Sequence, residues 1–187
     1  MKVGKKIQKK KIINLKKSSS KTEKQNLPRL DNRKLVFFII KFFLIFFVLS
    51  YILEVLPLAW LNEFIAQVSA LVVGLPVSGA QVYVYGAVFI VGNACTGLMS
   101  ASILAAIIFS LNKPNLIKKI TLFLIGLGIL LVVNIPRVML VLLSAKAGLD
   151  ANLIHELTWF MMSGVILIIW YYGTKKMCGI NDFSELI

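Results

Sequence analysis

The chain has 187 residues, 58% of them hydrophobic and only 16% charged, with a mean hydropathy of +0.84. Soluble domains carry about 25% charged residues, and a bilayer-spanning helix needs a run of about 20 apolar ones, so the composition excludes an ordinary soluble domain. The formal net charge of +13 belongs to one tail: residues 2–34 hold 13 of the 21 basic residues and only two acids, Glu23 and Asp31.

Taken in chain order, residues 1–34 read as a basic, disordered cytoplasmic arm with room for a short amphipathic helix near Ile12 to Lys17. A basic arm beside a first span meets anionic lipid headgroups and sets orientation. No aromatic residue interrupts it before Phe37, which argues against nucleic-acid binding. Leu35 to Leu58 is the first span, with Lys41 placed to snorkel to the interface. It is too long for a signal-peptide core and lacks a small-residue cleavage pattern, so it is expected to be a retained anchor.

Residues 59–75, rich in apolar side chains but containing Glu63 and Gln67, fit an interfacial helix or a short span. The PVSGAQ turn and the Val/Tyr-rich QVYVYGAVFIV that follow favour extended structure. An extended segment cannot lie bare in lipid, so a small β-hairpin on the outer surface is expected before Cys95. Residues 98–111 form the second span, 120–133 the third, 137–154 an outer connection with room to begin helical, and 155–172 the fourth. Lys175 and Lys176 open a short cytoplasmic tail, 175–187.

The fold class is therefore all-α and polytopic, with residues 35–174 embedded as one membrane domain. About four spans are expected, or six if residues 59–92 fold into two tight crossings. With four, the basic clusters at 2–34, 113–119 and 175–176 all face the cytosol. Both termini are then cytoplasmic.

That topology brings Cys95, Arg137 and His155 to one depth at the outer rim, although they spread over 61 positions. Each has a bland reading: a small hydrophobe, an interfacial anchor, a helix-end residue. Together they fit a nucleophilic site. Cys95 precedes a helix whose N-terminus favours a thiolate. His155 can take the thiol proton and return it to a leaving amine. Arg137, the only arginine after Arg33, can stabilise a thiolate or an oxyanion. Gly97 permits close backbone approach. Asn134, one turn before Arg137, can hold a substrate carbonyl or orient the guanidinium. Glu156 is placed to pair with His155 or Arg137.

No metal site or cofactor is expected. The chain has one histidine, its two cysteines, Cys95 and Cys178, fall on opposite faces, and no HExxH or CxxC pattern occurs. The same separation argues against a disulfide between them. P-loop and GxGxxG fingerprints are absent too.

The segments NACTGLMS at 93–100, NIPR at 134–137 and HELTWFMMSG at 155–164 resemble the exosortase/archaeosortase family. Cys95, Thr96, Gly97 and Ser100 match its Cys motif, Asn134 and Arg137 its Arg motif, and His155 its later histidine. The resemblance runs over roughly residues 35–172 and suggests a compact member. It implies a cysteine protease or transpeptidase of the cytoplasmic membrane, with its site on the extracytoplasmic face. The implied partners are secreted surface proteins bearing a C-terminal motif, hydrophobic helix and basic tail, with a membrane lipid or another nucleophile as acceptor. Rival readings are a non-enzymatic membrane scaffold or assembly subunit, a cysteine-based acyltransferase and a small transporter.

Overall fold

The computed structural model describes residues 32–178. The basic arm expected at 1–34 lies almost wholly outside the described residues, as does most of the 175–187 tail. Five helices and one small sheet make up the described chain. Helix α1 (Asn32–Val55), α4 (Leu116–Lys146) and α5 (Ala151–Cys178) are long and apolar enough to cross a membrane. Helices α2 (Ala59–Val73) and α3 (Leu98–Ser110) are apolar but shorter, at 15 and 13 residues. The all-α polytopic class holds. Helix α3, expected as the second span, is about 20 Å long at 1.5 Å per residue and is shorter than the three helices long enough to cross.

Small residues explain the position of α3. Ser100, Ala101, Ser102, Ala105, Ala106 and Ser110 are all buried, and small side chains let neighbouring helices approach closely. Helix α3 accordingly packs against α1, α4 and α5 at once. On the facing side of α4, Gly126 leaves room for the Leu104 side chain, which a Cβ there would strike. Leu104, Ile108, Leu122, Leu130, Met162 and Ile166 fill the core between these three helices. Helix α1 buries no residue fully. Its half-buried positions, from Phe38 through Phe42, Phe46 and Leu49 to Leu53, follow a helical period toward α3, and its other face presents Phe43, Leu44 and Phe47 outward.

The segment between α2 and α3 is a three-stranded antiparallel meander: β1 (Val77–Ser78), β2 (Gln81–Val84) and β3 (Ala87–Ile90). The expected hairpin is thus extended by one short strand. Val82 and Val84 are buried while Gln81 and Tyr83 are exposed, the period of two of a half-buried strand. Tyr85 and Gly86, both at positive φ (44° and 88°), close a two-residue turn between β2 and β3, as tight hairpins require. Val82, Val84 and Val91 pack with Ile65, Ala66 and Ala70 of α2 and Leu142 of α4 in a second core.

Helix α4 corrects the expected third span. The expected connection does begin helical: residues 137–146 continue the same helix without a break, and only 147–150 link α4 to α5. Pro136 lies inside α4. Its missing N–H removes one ladder bond, a loss that membrane helices tolerate when neighbouring groups compensate. Arg137 therefore sits within a helix and not at its end.

Lysines gather at the opposite end of the bundle. Lys118 donates to the Met177 carbonyl at 2.8 Å, Lys119 to the Leu111 carbonyl, and Lys41 to Asn112 Oδ1 at 3.4 Å. The first two contacts tie the start of α4 to the ends of α5 and α3, and the third ties α1 to the end of α3; Lys175 and Lys176 occupy the last turn of α5.

Candidate active site

Cys95 closes a 3-10 turn (Asn93–Cys95) that joins β3 to α3. The turn is fastened on three sides. Asn93 donates from Nδ2 to the Leu53 carbonyl of α1 at 3.1 Å and accepts from Asn62 of α2 at 2.9 Å. Thr96, fully buried, donates to the Asn93 carbonyl at 2.7 Å and accepts from the Leu98 N–H at 3.3 Å. Asn134 Nδ2 donates to the carbonyl of Cys95 itself. Gly97 then turns the chain into α3 at φ 83°. A Cβ on Gly97 would stand 3.0 Å from Asn134 Cβ and 3.3 Å from the Leu130 carbonyl oxygen. The glycine thus supplies both the left-handed backbone and the close approach of the Cys95 turn to α4.

Arg137 is 7% exposed, and its fork is held by named partners. Nε donates to Thr158 Oγ1 at 3.1 Å and one terminal nitrogen to Asn134 Oδ1 at 3.2 Å. The plane lies over the Trp159 ring, 4.8 Å from Cζ to the centroid. The remaining nitrogen, NH2, is buried with no hydrogen-bond partner among the described residues. His155 sits one turn earlier on α5 than Trp159, whose indole N–H donates to His155 Nε2 at 3.1 Å. Thr158 donates to the His155 carbonyl at 2.7 Å.

Cys95, Arg137 and His155 line one cleft of about 270 Å³, together with Phe89, Val138 and Asn152. Cys95 is a half-buried free thiol. Among the described residues no hydrogen bond joins it to Arg137 or His155; a shared cavity is what unites the three. Positions in the chain give their common depth alone, and their proximity comes from packing α3, α4 and α5 together.

A family model for transmembrane exosortases matches residues 30–172. The chain belongs to the transmembrane exosortase family. No curated protein and no solved structure matches it. Membership places this exosortase among membrane transpeptidases with sorting-related functions, and its long apolar helices make it a multi-pass membrane protein.

The remaining expected residues divide. Asn134 is fully buried and both its polar atoms are engaged, one by Cys95 and one by Arg137. It thereby joins the Cys95 turn to the guanidinium, and the second N–H of its amide is not used by these bonds. Thr96 braces the Cys95 turn. Ser100 is buried within the first turn of α3 and does not line the cleft. Glu156 is exposed, and no hydrogen bond or ion pair joins it to His155 or Arg137 among the described residues. Its carboxylate is near enough for its charge to act on His155 without a direct bond.

Sequence reasoning passed over Thr158 and Trp159, which hold Arg137 and His155. Their spacing of three and four from His155 was the available signal, since those positions share its helix face. Asn62 and Asn93, which anchor the Cys95 turn to α1 and α2, carried no local pattern at all.

Proposed function

We propose that this exosortase is a cysteine peptidase or transpeptidase that cleaves C-terminal sorting signals of secreted surface proteins through a Cys95 thioester. The observation that carries the reading is the single cleft lined by Cys95, Arg137 and His155. Arg137 lines that cleft, and its buried nitrogen NH2 has no hydrogen-bond partner among the described residues, while its other bonds fix the plane. A pre-oriented donor beside a nucleophile is what oxyanion stabilisation requires.

The reaction runs in two halves. His155 takes the thiol proton as Cys95 Sγ attacks the scissile carbonyl carbon. Negative charge develops on the carbonyl oxygen, where Arg137 NH2 donates. The C–N bond then breaks, His155 returns the proton to the leaving amine, and a thioester remains on Cys95. A lipid or other nucleophile, or water, attacks the thioester, loses its proton to His155 and restores the thiol. The substrates are proteins whose hydrophobic C-terminal helix sits in the bilayer ahead of a basic tail.

Depth supports an extracytoplasmic site. At 1.5 Å per residue, Arg137 lies about 27 Å along α4 from Lys119, and His155 about 30 Å along α5 from Lys175. Both match the roughly 30 Å hydrocarbon core. With the lysine end in the cytosol, the cleft opens at the outer rim and both termini are cytoplasmic.

The test compares C-termini of membrane proteins by mass spectrometry in cells carrying wild-type or Cys95→Ala chains at equal abundance. A set of secreted proteins should keep its hydrophobic tails only in the variant. Identical termini, with the candidate substrates expressed, would replace the enzyme with a scaffold. Unchanged termini with altered lipid acylation would point to acyl transfer.

A further inference from the structure

Strand β3 forms one wall of the cleft and is also the outer edge of the sheet. The strand order is β1-β2-β3, so β3 pairs on one side only. The register settles which of its backbone groups remain unpaired. The Val91 N–H bonds the Ala80 carbonyl at 2.9 Å, and the ladder continues with Val82 opposite Phe89 and Val84 opposite Ala87. In an antiparallel ladder, alternate residues direct both N–H and C=O to the same neighbour. Phe89 and Val91 therefore face β2, while Val88 and Ile90 turn their N–H and C=O outward. No hydrogen bond from another described element reaches those groups.

Proteins ordinarily blunt such an edge with a charge, a proline or a bulge. The stretch from Gly86 to Gly92 contains no charged residue and no proline, and Val88 and Ile90 are 51% and 69% exposed. The open edge leads straight to the nucleophile. Phe89, Ile90 and Val91 line the same cleft as Cys95, and only five positions separate Ile90 from Cys95.

We infer that β3 docks the substrate by strand addition: an extended, uncharged segment next to the scissile bond pairs with the outward groups of Val88 and Ile90 and is thereby delivered to Cys95. The inference rests on the proposed function and supplies its mode of recognition. Backbone pairing gives affinity largely independent of sequence, and the side-chain pockets of the cleft add selectivity. It also removes the freedom of a flexible segment between a membrane-held helix and a secreted domain, holding one carbonyl near the thiol.

Proline separates backbone pairing from side-chain contact. At an edge position whose N–H points outward, proline keeps the inner ladder and deletes only the outward donor. Ile90→Pro and Val88→Pro are therefore compared with Ile90→Ala and Val88→Ala, which retain the N–H, in cells that also provide the wild-type and Cys95→Ala chains. The readout is accumulation of tail-bearing precursors at matched chain abundance. The proline variants should slow processing about tenfold more than the alanine variants, the worth of one or two hydrogen bonds. Labelling of Cys95 by a small maleimide should match wild type.

Tails that accumulate with Cys95→Ala but not with the proline variants would overturn strand docking and leave the thioester reading standing. Equal losses with proline and alanine would assign the effect to side chains and overturn it too. No accumulation with Cys95→Ala would remove both readings together. A second measurement does not depend on the proline variants folding. A benzophenone-bearing residue in place of Val88, in the Cys95→Ala chain, should crosslink to a precursor within the segment beside its cleavage point. Absence of precursor adducts, or adducts to a second copy of this chain, would overturn the inference.

Discussion

Arg137 and the lysines at the opposite end of the helix bundle are held in opposite ways. At one end Lys41 and Lys118 reach amide or carbonyl oxygens through flexible stems, each with a single hydrogen bond. At the other, Arg137 is fixed by Thr158, Asn134 and the Trp159 ring. On the proposed orientation the lysine end needs only positive charge in roughly the right place, near the helix ends. The proposed mechanism asks the arginine end for one nitrogen at one position, and three contacts hold the rest of the group. A point charge suffices for topology, whereas chemistry calls for a planar fork.

The sharpest way to break this contrast is Arg137→Lys. An ammonium keeps the charge but cannot meet Thr158, Asn134 and the indole face while still offering a donor to the cleft. Processing of tail-bearing precursors should fall about 100-fold, the scale of losing one oxyanion donor, with chain abundance little changed. A rate within about threefold of wild type would mean that charge alone is needed at both ends. Asn134→Ala comes next. It leaves the Cys95 carbonyl and an Arg137 nitrogen without their shared partner, so a destabilisation of about 2 kcal/mol is expected from the buried groups left unpaired. Processing should fall about tenfold more than that stability loss explains. Thermal unfolding in detergent, read beside the precursor assay, separates the two effects.

How far each end was legible in the sequence follows from the same difference. Lysine clusters between apolar runs are local signals that lie near helix ends, although α4 begins before Lys118 and α5 runs through Lys175 and Lys176 to Cys178. Cys95, Arg137 and His155 were found because a family resemblance and a topology placed them at one depth. The hold on Arg137 was not legible, because it depends on how α4 and α5 rotate against each other. The end of the third span was misread at Asn134 to Arg137. Residues 138–144 are mostly apolar and carry the helix on to Lys146. The sheet was legible from its Val/Tyr alternation, but the two-residue β1 was too short to give a period.

Gly97→Ala probes the junction where the precise end begins. The residue sits at φ 83° with its would-be Cβ 3.0 Å from Asn134, so the methyl opposes both the backbone conformation and the α3–α4 contact. A left-handed alanine costs about 1–2 kcal/mol, and the crowding of Asn134 disturbs the bond to the Cys95 carbonyl as well. The expected result is a lowered unfolding temperature with a several-fold slower rate. Serine or alanine tolerated here without change would show that the Cys95 turn is held loosely.

The smallest effect belongs to the lysine end. Lys118→Gln removes a charge and exchanges one exposed contact to the Met177 carbonyl for an amide that can make a similar one. Exposed substitutions of this kind usually stay within about 0.5 kcal/mol, and precursor processing should not change measurably, because no part of the cleft touches this residue. Membrane orientation should also survive, since Lys113, Lys119, Lys175 and Lys176 remain on the same side and the bias is set by their number. A loss of processing comparable to that of Asn134→Ala would erase the distinction drawn between the two ends: the lysine contacts would then be setting the geometry of the distant cleft through α4, and not merely marking which side of the bilayer it faces.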